Sequence, residues 1–140
     1  MIKKFDLSQI DAVMRIWLNT NIAAHDFIPK EYWLNNFEVV KTMLPNSEIL
    51  IYEDDVIKGF VGVVDKSYIA GLFVLEQFQR YGIGSMLIEA CKTYYPVLTL
   101  DVYVKNDKAI RFYNKHDFNI KDKKENNDTK ELEYAMQWVL

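Results

Sequence analysis

The chain has 140 residues, half of them hydrophobic, which is enough to build one sizeable core without metal or disulfide staples, so residues 1–140 are expected to form a single domain. With 17 Lys and Arg against 20 Asp and Glu the net charge is -3, and that balance lacks the basic footprint that binding to nucleic acid requires. The lone Cys91 excludes an internal disulfide and no Cys/His cluster has the spacing of a zinc site, so no metal and a reducing, cytoplasmic setting are expected.

Residues Met1 to Asp6 do not resemble a signal peptide, and no segment is long and apolar enough for a membrane span. They are expected to give a first strand. Ser8 to Asp11 has capping-box spacing, and Ile10, Val13, Met14, Trp17 and Leu18 recur at three and four residues, which predicts a first amphipathic helix. Pro29 is placed to open a second helix, with Trp33, Phe37, Val40 and Leu44 on one face and Pro45 as its stop. Ser47–Glu53 and Val56–Val64 are rich in β-formers and are joined across Asp54-Asp55 as a hairpin, with Ser67–Val74 as the next strand of the meander.

From Gly82 the period changes. Ile83, Met86, Leu87, Ala90, Cys91 and Tyr94 mark one helical stripe that ends before Pro96, and Cys91 on that stripe is a packing residue. Val97–Tyr103 is strand-like and Asp107–Lys115 helical, with His116 as a cap or a solvent-facing residue. Leu132, Tyr134, Met136, Trp138 and Leu140 alternate with Glu131, Glu133 and Gln137 as a last strand. Polar residues Lys121–Lys130, centred on Asn126-Asn127-Asp128, read as the turn before it. The order β, α, α, β, β, β, α, β, α, β, β is that of a mixed α/β (α+β) sheet with helices packed on it.

One hexapeptide carries chemistry. Gln79-Arg80-Tyr81-Gly82-Ile83-Gly84 lies between a strand and a helix N-terminus, where unpaired N–H groups and the helix dipole favour a phosphate. It is not a Walker A loop, because no Gly-Lys-Ser/Thr follows, and Leu87 stands where a dinucleotide fingerprint needs its third glycine.

The stretch Ala70 to Gly84 resembles the core motif of the GNAT acetyltransferases, an apolar strand followed by Gln/Arg-x-x-Gly-x-Gly/Ala. Asn106, Ala109, Phe112, Tyr113 and Phe118 resemble the same family's second motif, Asn-x-x-Ala-x-x-Phe-Tyr followed by Gly-Phe. The resemblance covers essentially the whole chain. It implies a central, mostly antiparallel sheet of six or seven strands with helices on both faces, the fourth and fifth strands splayed. It implies a transferase that moves an acetyl group from acetyl-CoA to a primary amine of a protein or small molecule by direct attack in a ternary complex. Leu72, Phe73 and Val74 would hold the pantetheine arm beside a bulge that frees an N–H. The residues Gln79, Arg80, Tyr81, Gly82, Ile83, Gly84 and Ser85 would cradle the pyrophosphate, Asn106 would hold the pantetheine from the neighbouring strand, and Tyr113 would face the sulfur.

A tyrosine, with an ordinary pKa of about 10, stays protonated at neutral pH and can serve as general acid to a departing thiolate. The amine needs a base, because a lysine-like group is neutral only about once in a few thousand at pH 7. Candidates for that base, or for acceptor binding, are Glu76, His25 and Asp26, with a water chain as the alternative; His25 and Asp26 sit in the connection between the first two helices, which in this fold flanks the acceptor cleft. Trp17, Tyr32 and Trp33 are further candidates to line that cleft. Asp101 and Tyr103 could reach it, but alternation alone leaves their face open. Two positions depart from the family pattern, Glu76 for a proline and Asp117 for a glycine at a position that needs a left-handed backbone. The rival function from another class is a non-catalytic acyl-CoA binding or sensing module, and the assembly expected is a monomer or homodimer.

Overall fold

The computed structural model describes all 140 residues. In chain order the elements are β1 (Ile2–Lys4), α1 (Ile10–Ala24), α2 (Lys30–Met43), β2 (Glu48–Asp54), β3 (Val56–Val64), β4 (Tyr68–Val74), α3 (Ile83–Tyr94), β5 (Val97–Tyr103), α4 (Asp107–Lys115), β6 (Asn119–Glu125) and β7 (Leu132–Val139). The seven strands form one sheet in the order β1-β2-β3-β4-β5-β7-β6, antiparallel throughout except for the β4–β5 pair. No helix is long and apolar enough to cross a membrane.

Helices cover both faces. On one, α3 and α4 press Leu87, Ile88, Cys91 and Tyr113 against Val61, Val63, Leu98, Leu100, Met136 and Trp138 of the sheet. On the other, α1 and α2 press Val13, Met14, Trp17 and Trp33 against Ile49, Ile51 and Phe60. That second layer covers β2 and β3 and stops at Tyr103, so the same face of β7 carries only half-buried Glu133, Ala135 and Gln137. Burial pushes the Cys91 thiol up to about 12, which keeps it neutral and makes it a packing group.

The structure moves several boundaries predicted from sequence. The capping box sits at Asp6 and Gln9, not at Ser8: the Asp6 carboxylate accepts from the Ser8 N–H, and Gln9 Oε1 accepts from the Asp6 N–H (2.9 Å), around a 3-10 turn that feeds α1. On α3, Met86 and Tyr94 fall outside the buried stripe, which is Ile83, Leu87, Ile88 and Cys91. The predicted turn Lys121–Lys130 is half strand, because β6 continues to Glu125. Asp117 adopts φ 69°, the left-handed geometry expected where the family pattern has glycine.

The bulge on β4 decides which side chains reach the site. Gly62 pairs with Gly71 while Val63 pairs with Ile69, so Ala70 is an extra residue that interrupts the period-2 alternation. After it, Leu72 and Val74 join Ile69 on the α3 side, and Phe73 turns to the α1 side. A Cβ on Gly71 would stand 2.2 Å from the Phe73 ring, so a side chain there would force that ring to turn.

Candidate active site

The strands β4 and β5 share one residue pair, Tyr68 with Thr99, next to a Thr99 N–H to Ser67 carbonyl bond of 2.8 Å, and then diverge. The gap is a cleft of about 1030 Å³ that passes through the sheet, with walls from Leu72, Phe73 and Val74 on β4 and from Leu100 to Tyr103 on β5. One end reaches the loop before α3, and the other reaches Trp17 and Trp33 under α1 and α2.

At the α3 end the backbone is bare. Arg80 (φ 74°) and Gly82 (φ 79°) both take the left-handed conformation, which costs a non-glycine residue about 1–3 kcal/mol and is sustained at sites where it serves a geometry. The backbone N–H groups from Arg80 to Ser85 donate to no protein acceptor. A Cβ on Gly82 would meet nothing within 4 Å, and one on Gly84 would touch the Phe112 ring at 3.4 Å and the Val74 side chain at 3.8 Å. Unpaired donors, a helix N-terminus and open space above Gly82 fit a diphosphate. Arg80, Lys108 and Lys115 add positive charge to the same wall.

Gln79 works differently from the expectation. Its Nε2 donates to the Val74 carbonyl (2.9 Å) and its Oε1 accepts from Lys108 Nζ (2.6 Å), so it ties the end of β4 to the first turn of α4. Tyr81 points to solvent, 74% exposed, and does not line the cleft. Ile83 is buried in the core and Ser85 lines the cleft.

Tyr113, on α4, packs edge-on against Phe118 and Phe112 with its hydroxyl unpartnered and not sealed off from the cleft. Burial raises its pKa, so the phenol keeps its proton. Asn106 caps α4: its Oδ1 accepts from the Ala109 N–H (3.2 Å), which turns its Nδ2 toward His25 Nε2 at 3.3 Å. His25 is therefore an acceptor at Nε2, and its hydrogen sits on Nδ1, enclosed without a partner beside the equally unpartnered Trp33 Nε1. The ring stacks on Trp33 at 5.4 Å, and burial holds its pKa down at about 4. It is a neutral group whose basic nitrogen is already engaged. Of the other base candidates, Glu76 lines the cleft on its exposed rim, whereas Asp26 is exposed and lies outside it; Tyr32 is outside as well.

Of the two carboxylates on the floor, sequence reasoning left the face of Asp101 open and missed Glu133. On the α1 side of β5, Asp101 accepts from the Tyr68 hydroxyl (3.0 Å) and pairs with Lys124 (3.0 Å). Beside it Glu133, opposite Tyr103 in the β5–β7 ladder, lines the cleft with no lysine or arginine of its own. Burial, then repulsion from Asp101, raises the Glu133 pKa. The β7 alternation had placed Glu133 on a polar face, and that face becomes the cleft floor because no helix covers it.

A family model of the acetyltransferase (GNAT) domain matches residues 45–120, from β2 through the cleft to the start of β6. The chain belongs to the GNAT acetyltransferase family. The peptidyl-lysine N-acetyltransferase YiaC of Escherichia coli K12 is 31% identical over 140 residues, covering 99% of this chain and 96% of that one. The peptidyl-lysine N-acetyltransferase YjaB of the same strain is 28% identical over 120 residues, 84% of this chain and 81% of the relative. In fold, the GNAT chain matches the solution structure of apo YjaB from Escherichia coli with a TM-score of 0.85 at 23% identity, over 99% of this chain and 97% of the other. It also matches YncA of Salmonella typhimurium, a structure holding acetyl-CoA, with a TM-score of 0.70 at 15% identity, over 100% of this chain and 93% of the other. GNAT acetyltransferases use acetyl-CoA.

Proposed function

We propose that this GNAT enzyme acetylates lysine side chains of proteins or peptides, with acetyl-CoA drawn through the β4–β5 cleft and the acceptor entering from the α1 side. The observation that carries the reading is the union of an unzipped strand pair with a run of unpaired N–H groups at the α3 N-terminus. The lysine acceptor is supported by the two peptidyl-lysine relatives and by the charge of the cleft, whose wall before α3 and along α4 is basic while its β5–β7 floor holds Asp101 and Glu133.

Acetyl-CoA supplies the acetyl thioester. In this reading the backbone from Arg80 to Ser85 holds the pyrophosphate, and the β4 edge at Leu72–Val74 and Asn106 hold the pantetheine arm. Glu133 takes one proton from the incoming ammonium so that its nitrogen can form the new C–N bond. Tyr113 donates its proton to the sulfur as the C–S bond breaks, and the second proton shed by the nitrogen restores the phenol. Asp101, held by Tyr68 and Lys124, keeps the floor anionic for an approaching cation.

The test combines acetyl-CoA with peptides that carry either a free lysine or only a free N-terminus, and follows thiol release alongside thermal stability. Release with the lysine peptides is expected, and Tyr113→Phe should lower turnover about 100-fold or more while acetyl-CoA stabilises both proteins alike. Stabilisation without release from any peptide would instead identify a sensor, and preference for the N-terminal amine would overturn the lysine assignment.

A further inference from the structure

Behind the phosphate cradle lies a line of polar groups that the acetyl transfer does not use. Ser85 Oγ, in the first turn of α3, is 2.9 Å from His116 Nε2. His116 Nδ1 is 2.8 Å from Glu89 Oε2, one turn further along the same helix. Lys92 closes the line, its Nζ 3.1 Å from that carboxylate oxygen and 2.7 Å from the His116 carbonyl. The imidazole is well enclosed, with its side chain 11% exposed and the Phe112 ring 4.7 Å away. Ser85, Glu89 and Lys92 are the polar groups that face it from α3; Lys115 and Asp117, its chain neighbours, are exposed.

Donor and acceptor counting gives this line a direction. A carboxylate only accepts, so Nδ1 carries a hydrogen in the pair with Glu89. If Nε2 is bare, it takes the single hydrogen of Ser85, and the hydroxyl then turns only lone pairs toward the cleft. Those lone pairs repel a phosphate oxygen. For Ser85 to donate to a phosphate, its hydrogen must swing into the cleft, and Nε2 must bear a hydrogen of its own that it donates to Oγ. The ring is then an imidazolium whose charge faces Glu89 on one side and, through Ser85, the phosphate on the other.

We propose that Ser85, His116 and Glu89 form a proton-linked clamp on the cofactor's pyrophosphate, which takes up one proton at His116 when it binds. His116 and Glu89 are positioning residues that act through Ser85, and the inference rests on reading the cleft as the acetyl-CoA site. The proton comes from solvent and no covalent bond changes.

Calorimetric titration of acetyl-CoA at mildly alkaline pH in two buffers of different protonation heat counts the protons taken up. Dephospho-coenzyme A, titrated in parallel, removes the separate 3′-phosphate and its own titration. The wild-type protein is expected to take up close to one proton with either ligand. His116→Gln should lose that uptake and bind about tenfold more weakly, as expected for a charged hydrogen bond. Ser85→Ala, which leaves the His116–Glu89 pair in place, should lose the uptake too. In both variants the rise should fall on the acetyl-CoA KM and not on kcat at saturation. No uptake in the wild type, equal uptake in all three proteins, or a loss in kcat alone would overturn the clamp. Failure of acetyl-CoA to bind the wild type at all would instead bring down the reading of the cleft.

Discussion

His25 shows how burial sets chemistry at a single position. Its ring is neutral in the folded protein down to about pH 4, while in the unfolded chain it titrates near 6.5. Protons are therefore taken up on unfolding anywhere between those values, so the stability His25 contributes is complete above about pH 6.5 and is lost as pH falls toward 4. The full loss is at most about 3 kcal/mol, from a displacement of roughly two and a half pH units at 1.36 kcal/mol each. Urea melts of the wild type and of His25→Gln at neutral pH and near pH 4 should show a smaller acid-induced drop in the variant; equal drops would mean that the ring titrates normally. Much of the site was legible residue by residue because Gly82, Gly84, Asn106 and Tyr113 belong to short motifs whose spacing is fixed by one loop or one helix turn. Glu133 and the His116 pairing were not, because each depends on a neighbour from another element. The His25 ring, placed near the acceptor by its loop, turns out to be held by Asn106, a contact across 81 positions that no local pattern carries.

At the scale of elements, the helices and the β2–β3–β4 meander could be read from periodicity, since each buries one stripe or alternates between two faces. Two strands were legible only in part. On β4 the extra residue Ala70 re-phases the side chains, so Ile69, Leu72 and Val74 share a face in defiance of strict alternation. On β6 every residue is exposed, because it lies at the sheet edge beyond the reach of the helices, and its charged sequence resembles a turn. The β3–β4 contact is tight enough to test. A Cβ on Gly59 would lie 2.7 Å from the Phe73 carbonyl oxygen, a backbone atom that can give way only by moving the ladder. Gly59→Ala should thus cost about 1–3 kcal/mol in a denaturant melt. A loss below about 0.5 kcal/mol would show that the ladder relaxes freely.

Across the whole molecule the cleft separates two charge environments, with Arg80, Lys108 and Lys115 along the cradle and α4, and Asp101 and Glu133 on the β5–β7 face toward α1. An anionic ligand and a cationic one can therefore approach without passing over each other's binding charges. In the proposed mechanism Glu133, and not Asp101, removes the proton, since Asp101 is already paired with Lys124. Glu133→Gln should lower kcat about 100-fold with lysine peptides. Its residual rate should climb roughly tenfold per pH unit, because attack then relies on amine that has already lost its proton. A variant with the wild-type pH profile would move the role elsewhere. The single Tyr68–Thr99 pair has a mechanical consequence as well. Past it the two half-sheets are joined by side-chain packing and not by a ladder, so the inward-facing amides of β4 and β5 lie open to solvent exchange, and an extended molecule seated there would splint the two halves as a missing strand.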